Sequence, residues 1–116
     1  MAEWSDVDAI AAALEGAERG TTFRNAAWKV RGKAFVWERP LRARDLEELG
    51  DVAPAGPVLG ARVADEGEKL ALIAEDPRVF FTTSHFDGYP AILVALGRID
   101  RERLRELVEC AWSARR

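Results

Sequence analysis

An α+β fold, with an antiparallel β-sheet and helices packed on one face, is what this sequence predicts, and three observations carry it. Apolar residues recur at helical spacing in three separated segments, residues 5–18, 66–76 and 101–114. Between them lie short runs of β-branched and aromatic residues bounded by Gly and Pro. Those runs come in neighbouring pairs joined by turn dipeptides, which points to hairpins rather than parallel crossovers. At 116 residues the chain fits one domain, 1–116, without internal repeat or linker.

The first helix is SDVDAIAAALEGAE, residues 5–18, capped by Ser5 or Asp6, with Val7, Ile10, Ala11 and Leu14 on one face. Gly16 and Gly20 mark its end region. The period then changes in FRNAAWKVRGKAFVWERP, residues 23–40. With Arg31-Gly32 as a two-residue turn, Val30 pairs with Lys33, Trp28 with Phe35 and Ala26 with Trp37. That register puts Ala26, Trp28, Phe35 and Trp37 on one face, against helices, and Ala27, Lys29, Ala34 and Val36 on the other. A slip of one residue would exchange the faces. Pro40 ends the second strand, residues 43–50 read as a short helix stopped by Gly50, and DVAPAGP (51–57) reads as a loop.

A further strand is expected at VLGARVA (58–64), then a helix over 66–76, capped by Asp65, with Leu70, Ile73 and Ala74 as its buried stripe. RVFFTT (78–83) and PAILVAL (90–96) read as strands flanking a polar loop. Asp100 caps the last helix, where Leu104, Leu107, Val108, Ala111 and Trp112 repeat at i, i+3, i+4, i+7 and i+8.

Composition excludes several function classes. No apolar run approaches the ~18 residues of a membrane span. The acidic N-terminus MAEWSDVD lacks a basic region followed by an apolar one, which predicts a cytoplasmic protein without a secretory signal. The single Cys110 forms no intrachain disulfide, and one Cys with one His is a poor start for a zinc site, so no metal or cofactor is expected. Cys110 itself is expected at the border of the last helix's apolar stripe. Neither a GxxxxGK[ST] phosphate loop nor a GxGxxG fingerprint is present.

The loop TTSHFDGYP, residues 82–90, holds the only histidine and the only tyrosine. A triad of Ser84 or Thr83 with His85 and Asp87 is disfavoured, because triad members normally converge from separated segments. Asp87-Gly88 is better read as turn chemistry, with Gly88 at positive φ and Phe86 and Tyr89 packing at the loop base. His85, Asp87 and Tyr89 remain candidates for contacting a small molecule or a protein partner, His85 as a pH-sensitive group. No other constellation suggests catalysis, so a non-enzymatic role is expected.

Charge is uneven. Arg19, Arg24, Lys29, Arg31, Lys33, Arg39, Arg42 and Arg44 face one acid, Glu38, across residues 19–44, a local net of +7 that leaves −10 for the rest of a chain totalling −3. A hairpin tipped by Lys29, Arg31 and Lys33, with Arg39, Arg42 and Arg44 behind it, has the shape of a wing lying along a phosphate backbone. Weak, non-specific DNA binding through those six residues is therefore the leading expectation, although an overall pI near 5.2 opposes it.

The chain resembles the MmcQ/YjbR family of small bacterial proteins nearly end to end. The resemblance rests on AAWKVRGKAFVWERPL (26–41), DPRVFFTTSHFDGYPAILVAL (76–96) and CAW (110–112). His85 to Pro90 is similar to the family's His-aromatic-x-Gly-Tyr-Pro signature, while Arg31 stands where many relatives carry a small turn residue. The resemblance implies an α+β fold similar to frataxin-like topology and to the double-wing DNA-binding domain of a phage transcription factor. The family's DNA-binding label rests on that fold analogy, and the resemblance supplies no catalytic residues.

Overall fold

The computed structural model describes residues 2–116. In chain order it comprises α1 (Trp4–Ala12), β1 (Ala17–Thr22), β2 (Asn25–Val30), β3 (Lys33–Glu38), α2 (Ala43–Leu49), β4 (Val58–Arg62), α3 (Glu66–Glu75), β5 (Phe80–Phe81), β6 (Ala91–Ala95) and α4 (Arg101–Arg115). The six strands form one antiparallel sheet in the order β1-β2-β3-β4-β6-β5. The α+β class read from the sequence is the class observed. No helix among the described residues is long and apolar enough to cross a membrane.

Helices α1 and α4 cover one face of the sheet. Val7 and Ala11 of α1 and Leu104, Val108 and Ala111 of α4 meet Trp28, Phe35, Leu59 and Ile92 in the main core. Asp100 accepts from the Arg103 amide and caps α4 as its sequence predicts. Trp112 is half-buried at the margin, and its indole N–H donates to the Glu15 carbonyl at 2.9 Å.

The second face is not bare. Ala27, Trp37, Val58, Phe86, Ala91 and Leu93 form a smaller core there, roofed by Leu41 ahead of α2 and by Phe86 from a single 3₁₀ turn, Ser84–Phe86. The split between the two cores comes from the β2–β3 register. Val30 pairs with Lys33 across an Arg31-Gly32 turn whose residues both have positive φ, as expected. Lys29 then faces Ala34, but Trp28 faces Val36 and Ala27 faces Trp37, so Phe35 is an extra, bulged residue. Phe35 and Val36 both enter the main core, and Trp37 goes to the opposite face. The expected single aromatic face is thereby corrected: Trp28 and Phe35 share one side, and Trp37 lies on the other.

Other boundaries also move. α1 stops at Ala12, and Gly16 at φ 74° turns the chain into β1, an edge strand lying inside the stretch read as helix end. β1 is Ala-Glu-Arg-Gly-Thr-Thr with little burial, so it lacks the apolar alternation that marks a strand. On α3 the buried side chains are Lys69 and Leu72, with Ile73 half-buried and Leu70 and Ala74 exposed, one step round from the expected stripe. The strand expected over 78–83 shortens to Phe80–Phe81, and Cys110 is exposed.

Trp37 lies flat on β4 because its neighbour there is Gly60, with which it pairs across the strands. A Cβ at Gly60 would overlap the indole ring. Gly60→Ala should therefore destabilise the fold by about 1–3 kcal/mol through overpacking, measured by urea unfolding. Wild-type stability in that variant would place the indole elsewhere.

Candidate functional site

The signature loop is held from below by a buried lysine. Lys69 is 1% exposed, and its ammonium donates to the carbonyls of Phe86 at 2.8 Å and Tyr89 at 3.0 Å, with Glu66 at 3.4 Å. A buried charge is tolerable only when such partners replace its water. The loop closes on itself as well, through Phe86 N–H to the Thr83 carbonyl and Tyr89 N–H to the Phe86 carbonyl. Gly88 has φ 75°, the turn geometry expected of Asp87-Gly88.

A second polar anchor lies where β3 ends. Arg39, 7% exposed, extends the ladder through its amide to the Val58 carbonyl and forms an ion pair with Asp45 of α2 at 3.1 Å. Its guanidinium also stands 5.4 Å from the Phe86 ring centre, a cation–π contact with the loop. Burial alone would raise the Asp45 pKa. The bond from the Arg42 amide and the adjacent Arg39 charge outweigh it, and the buried Thr83 hydroxyl nearby adds to them, so the carboxyl is held below its ordinary value. Glu48 of α2 completes the connection by accepting from the Ser84 amide at 2.9 Å and its hydroxyl at 2.7 Å.

Between the loop, the β1–β2 turn and the end of β3 opens a cavity of about 480 Å³. That volume falls within the range typical of small-molecule sites. Its walls are aromatic and basic: Phe23, Trp37, Phe86 and Tyr89 line it together with Arg39, Arg42, His85 and Arg115, and Glu38 is the one acid. Arg115 reaches it from the end of α4, where its Nε donates to the Ala34 carbonyl at 3.1 Å.

The structure thus brings Arg39 and Arg42 together with His85 and Tyr89, residues that the sequence reading divided between two alternative sites. His85 is exposed and packs edge-on against Phe86 at 4.9 Å. Asp87 is exposed on the turn outside the cavity, and Ser84 bonds Glu48, so Ser84, His85 and Asp87 do not assemble into a triad. Lys29, Arg31 and Lys33 lie at the far end of the hairpin. Lys29 pairs with Ala34 and leaves the sheet on the cavity side, whereas Lys33 pairs with Val30 and leaves on the helix side. Arg44 is exposed on α2. Among the described residues, no three of His, Cys, Asp and Glu gather in a way that could hold a metal ion.

The comparison with known families agrees with the signature now placed in this loop. Residues 12–114 match the YjbR family model. The chain belongs to the YjbR family. Uncharacterized protein Mb2600 of Mycobacterium bovis is 48% identical over 117 residues, covering 97% of this YjbR chain and 87% of that protein. The uncharacterized protein Rv2570 of Mycobacterium tuberculosis matches with the same identity and coverage. The crystal structure of Deinococcus radiodurans protein DR2400, with a DUF419 domain, superposes with a TM-score of 0.70 at 17% identity, covering 97% of this chain and 77% of that one. That likeness concerns the fold.

Several site residues of this YjbR chain escaped the sequence reading. Lys69 was legible only as the polar member of an i, i+3, i+4 set with Leu72 and Ile73. Asp45 sits three residues after Arg42, the spacing of a helix-start carboxylate, but nothing local revealed its partner Arg39. Arg115 and Phe23 reach the cavity from opposite ends of the chain, and no sequence pattern links them.

Breaking the buried pair should be costly. Asp45→Asn leaves Arg39 uncompensated and should destabilise the protein by about 3–5 kcal/mol near neutral pH. A depressed folded-state pKa means that the pair's contribution is fully present above the ordinary carboxylate range and is lost as pH falls through the lowered value. In urea unfolding across a pH series, the deficit of the variant should shrink steadily below about pH 4–5. A deficit independent of pH would assign Asp45 a role other than its charge.

Proposed function

We propose that this YjbR chain is a binding protein, not a catalyst, which takes a small anionic ligand in the cavity beside the His85–Pro90 loop. One observation carries the reading: Arg39, Arg42, Arg115 and His85 converge on an aromatic-walled cavity in a chain whose net charge is −3. An acidic protein that brings three arginines and its histidine to one concave, partly apolar place has the arrangement expected of an anion site. The shell behind the cavity is rigid, because Arg39 is paired with Asp45 and Lys69 ties down the loop backbone. Arg42 is exposed and enters no ion pair among the described residues, so its guanidinium is available to a ligand. The commitment of the Ser84 hydroxyl to Glu48 favours binding over acyl-transfer chemistry.

Duplex DNA along the hairpin, the reading that the charge distribution first suggests, has less geometric support. Arg39 is buried, and Lys29 and Lys33 leave opposite faces of the ribbon, so one phosphate backbone would not meet all three.

The experiment is a thermal-shift screen of phosphate esters, carboxylates and nucleotides, with hits confirmed by tryptophan fluorescence. At least one anion should stabilise the wild type, and Arg42→Ala/Arg115→Ala should lose that shift while remaining folded. A labelled DNA duplex at low salt forms the second arm. Duplex binding that disappears in Lys29→Ala/Arg31→Ala/Lys33→Ala but persists in the Arg42/Arg115 variant would move the function to the hairpin tip and overturn the cavity reading.

A further inference from the structure

The β1–β2 turn is built against its own conformational preferences. Thr22 pairs with Asn25, leaving Phe23 and Arg24 as a two-residue turn, and both have positive φ, 48° and 69°. Such turns favour Asn-Gly or Gly-Gly, because a bulky side chain at positive φ crowds the backbone. Phe23 nonetheless occupies the first position and is 84% exposed, so it contributes almost nothing to either core. The turn is secured from outside the ring, by the Asn25 side-chain amide donating to the Phe23 carbonyl at 3.2 Å. A strained backbone that presents an unburied aromatic is a poor choice for folding and a sound one for binding.

Phe23 is also part of the cavity wall. Tyr89, 43% exposed, is the other uncovered aromatic of that wall, and the Arg62 guanidinium stands 5.8 Å from its ring centre. The same wall holds Arg42 and Arg115. One cavity therefore offers an exposed aromatic face, that of Phe23, for a planar group and guanidinium donors for an anion. A ligand satisfying both carries a flat heteroaromatic ring and a phosphate.

Building on the anion-site reading, we propose that the cavity binds a free nucleotide, with its base stacked on Phe23 and its phosphate at Arg42 and Arg115. A free nucleotide suits the charge better than a strand does. Glu38 lies in the cavity wall and Glu47 is exposed on α2, so a polyanion running on from the site past α2 meets like charge. The occupant is one unit in a cavity of about 480 Å³.

The test titrates the full chain with the four ribonucleoside 5′-monophosphates, ribose 5-phosphate, adenosine and a single-stranded oligonucleotide, using calorimetry. At least one nucleotide should bind more tightly than both ribose 5-phosphate and adenosine. Phe23→Gly should weaken that nucleotide about tenfold, the scale of one base-stacking contact, while leaving ribose 5-phosphate binding unchanged. The same variant should unfold at a higher temperature than the wild type, because glycine relieves the turn. A merely structural Phe23 would not combine greater stability with weaker nucleotide binding. Equal binding of ribose 5-phosphate and nucleotide, or full affinity in Phe23→Gly, would overturn the stacking proposal and leave the anion site standing. An oligonucleotide bound more tightly than any mononucleotide through the Phe23-sensitive site would overturn the free-nucleotide assignment. If no anion binds, the cavity reading fails and the proposal falls with it.

Discussion

One extra residue in β3 governs the arrangement of the molecule. Had the β2–β3 hairpin paired without a bulge, Trp28, Phe35 and Trp37 would crowd one face, leaving Ala27, Lys29, Ala34 and Val36 on the other with no aromatic among them. Because Phe35 is bulged, it joins Val36 under the helices and Trp37 is released to the far side. Trp37 then finds the one β4 position without a side chain, Gly60, and lies across it. That indole is the floor on which Phe86 and Leu41 settle, so the second core and the cavity beside it follow from a local slip in register.

The roof over that floor is polar in its attachments. Three contacts hold it: the Arg39–Asp45 pair, the Lys69 ammonium on two loop carbonyls, and Glu48 on Ser84. Each is directional, and the last two join segments far apart in sequence. Apolar packing of equal volume would stabilise comparably, since desolvation consumes much of the gain from buried charges. What the polar anchors add is geometry: they define where the loop backbone and α2 must stand relative to β3.

The parts legible in the sequence were those decided locally. Asp100 and Asp65 mark helix starts, the α4 stripe follows from its helical spacing, and Arg31-Gly32 and Asp87-Gly88 mark turns, as the structure has them. β1 was not legible, because an edge strand held by backbone bonds to β2 needs no apolar alternation. The bulge at Phe35 left no mark either, since the choice between two registers depends on Gly60 and the helices, both distant in sequence. The site was half legible. His85–Pro90 and the basic run were each noticed, but their meeting depends on the sheet bringing residues 22–42, 84–89 and 115 together.

The two borders of the sheet differ in a way that bears on how copies of the chain treat each other. At one end β5 is only two residues long, too short a rim for a neighbour to continue. At the other, β1 runs for six residues with one edge unpaired. Glu18 and Arg19 stand on this border, and charges of that kind discourage a second strand from docking. Neutralising both would leave an uncharged row of backbone donors and acceptors next to Gly20, a template for fibrillar stacking. Two charged side chains that contribute little to either core thus disfavour growth of the sheet across this border.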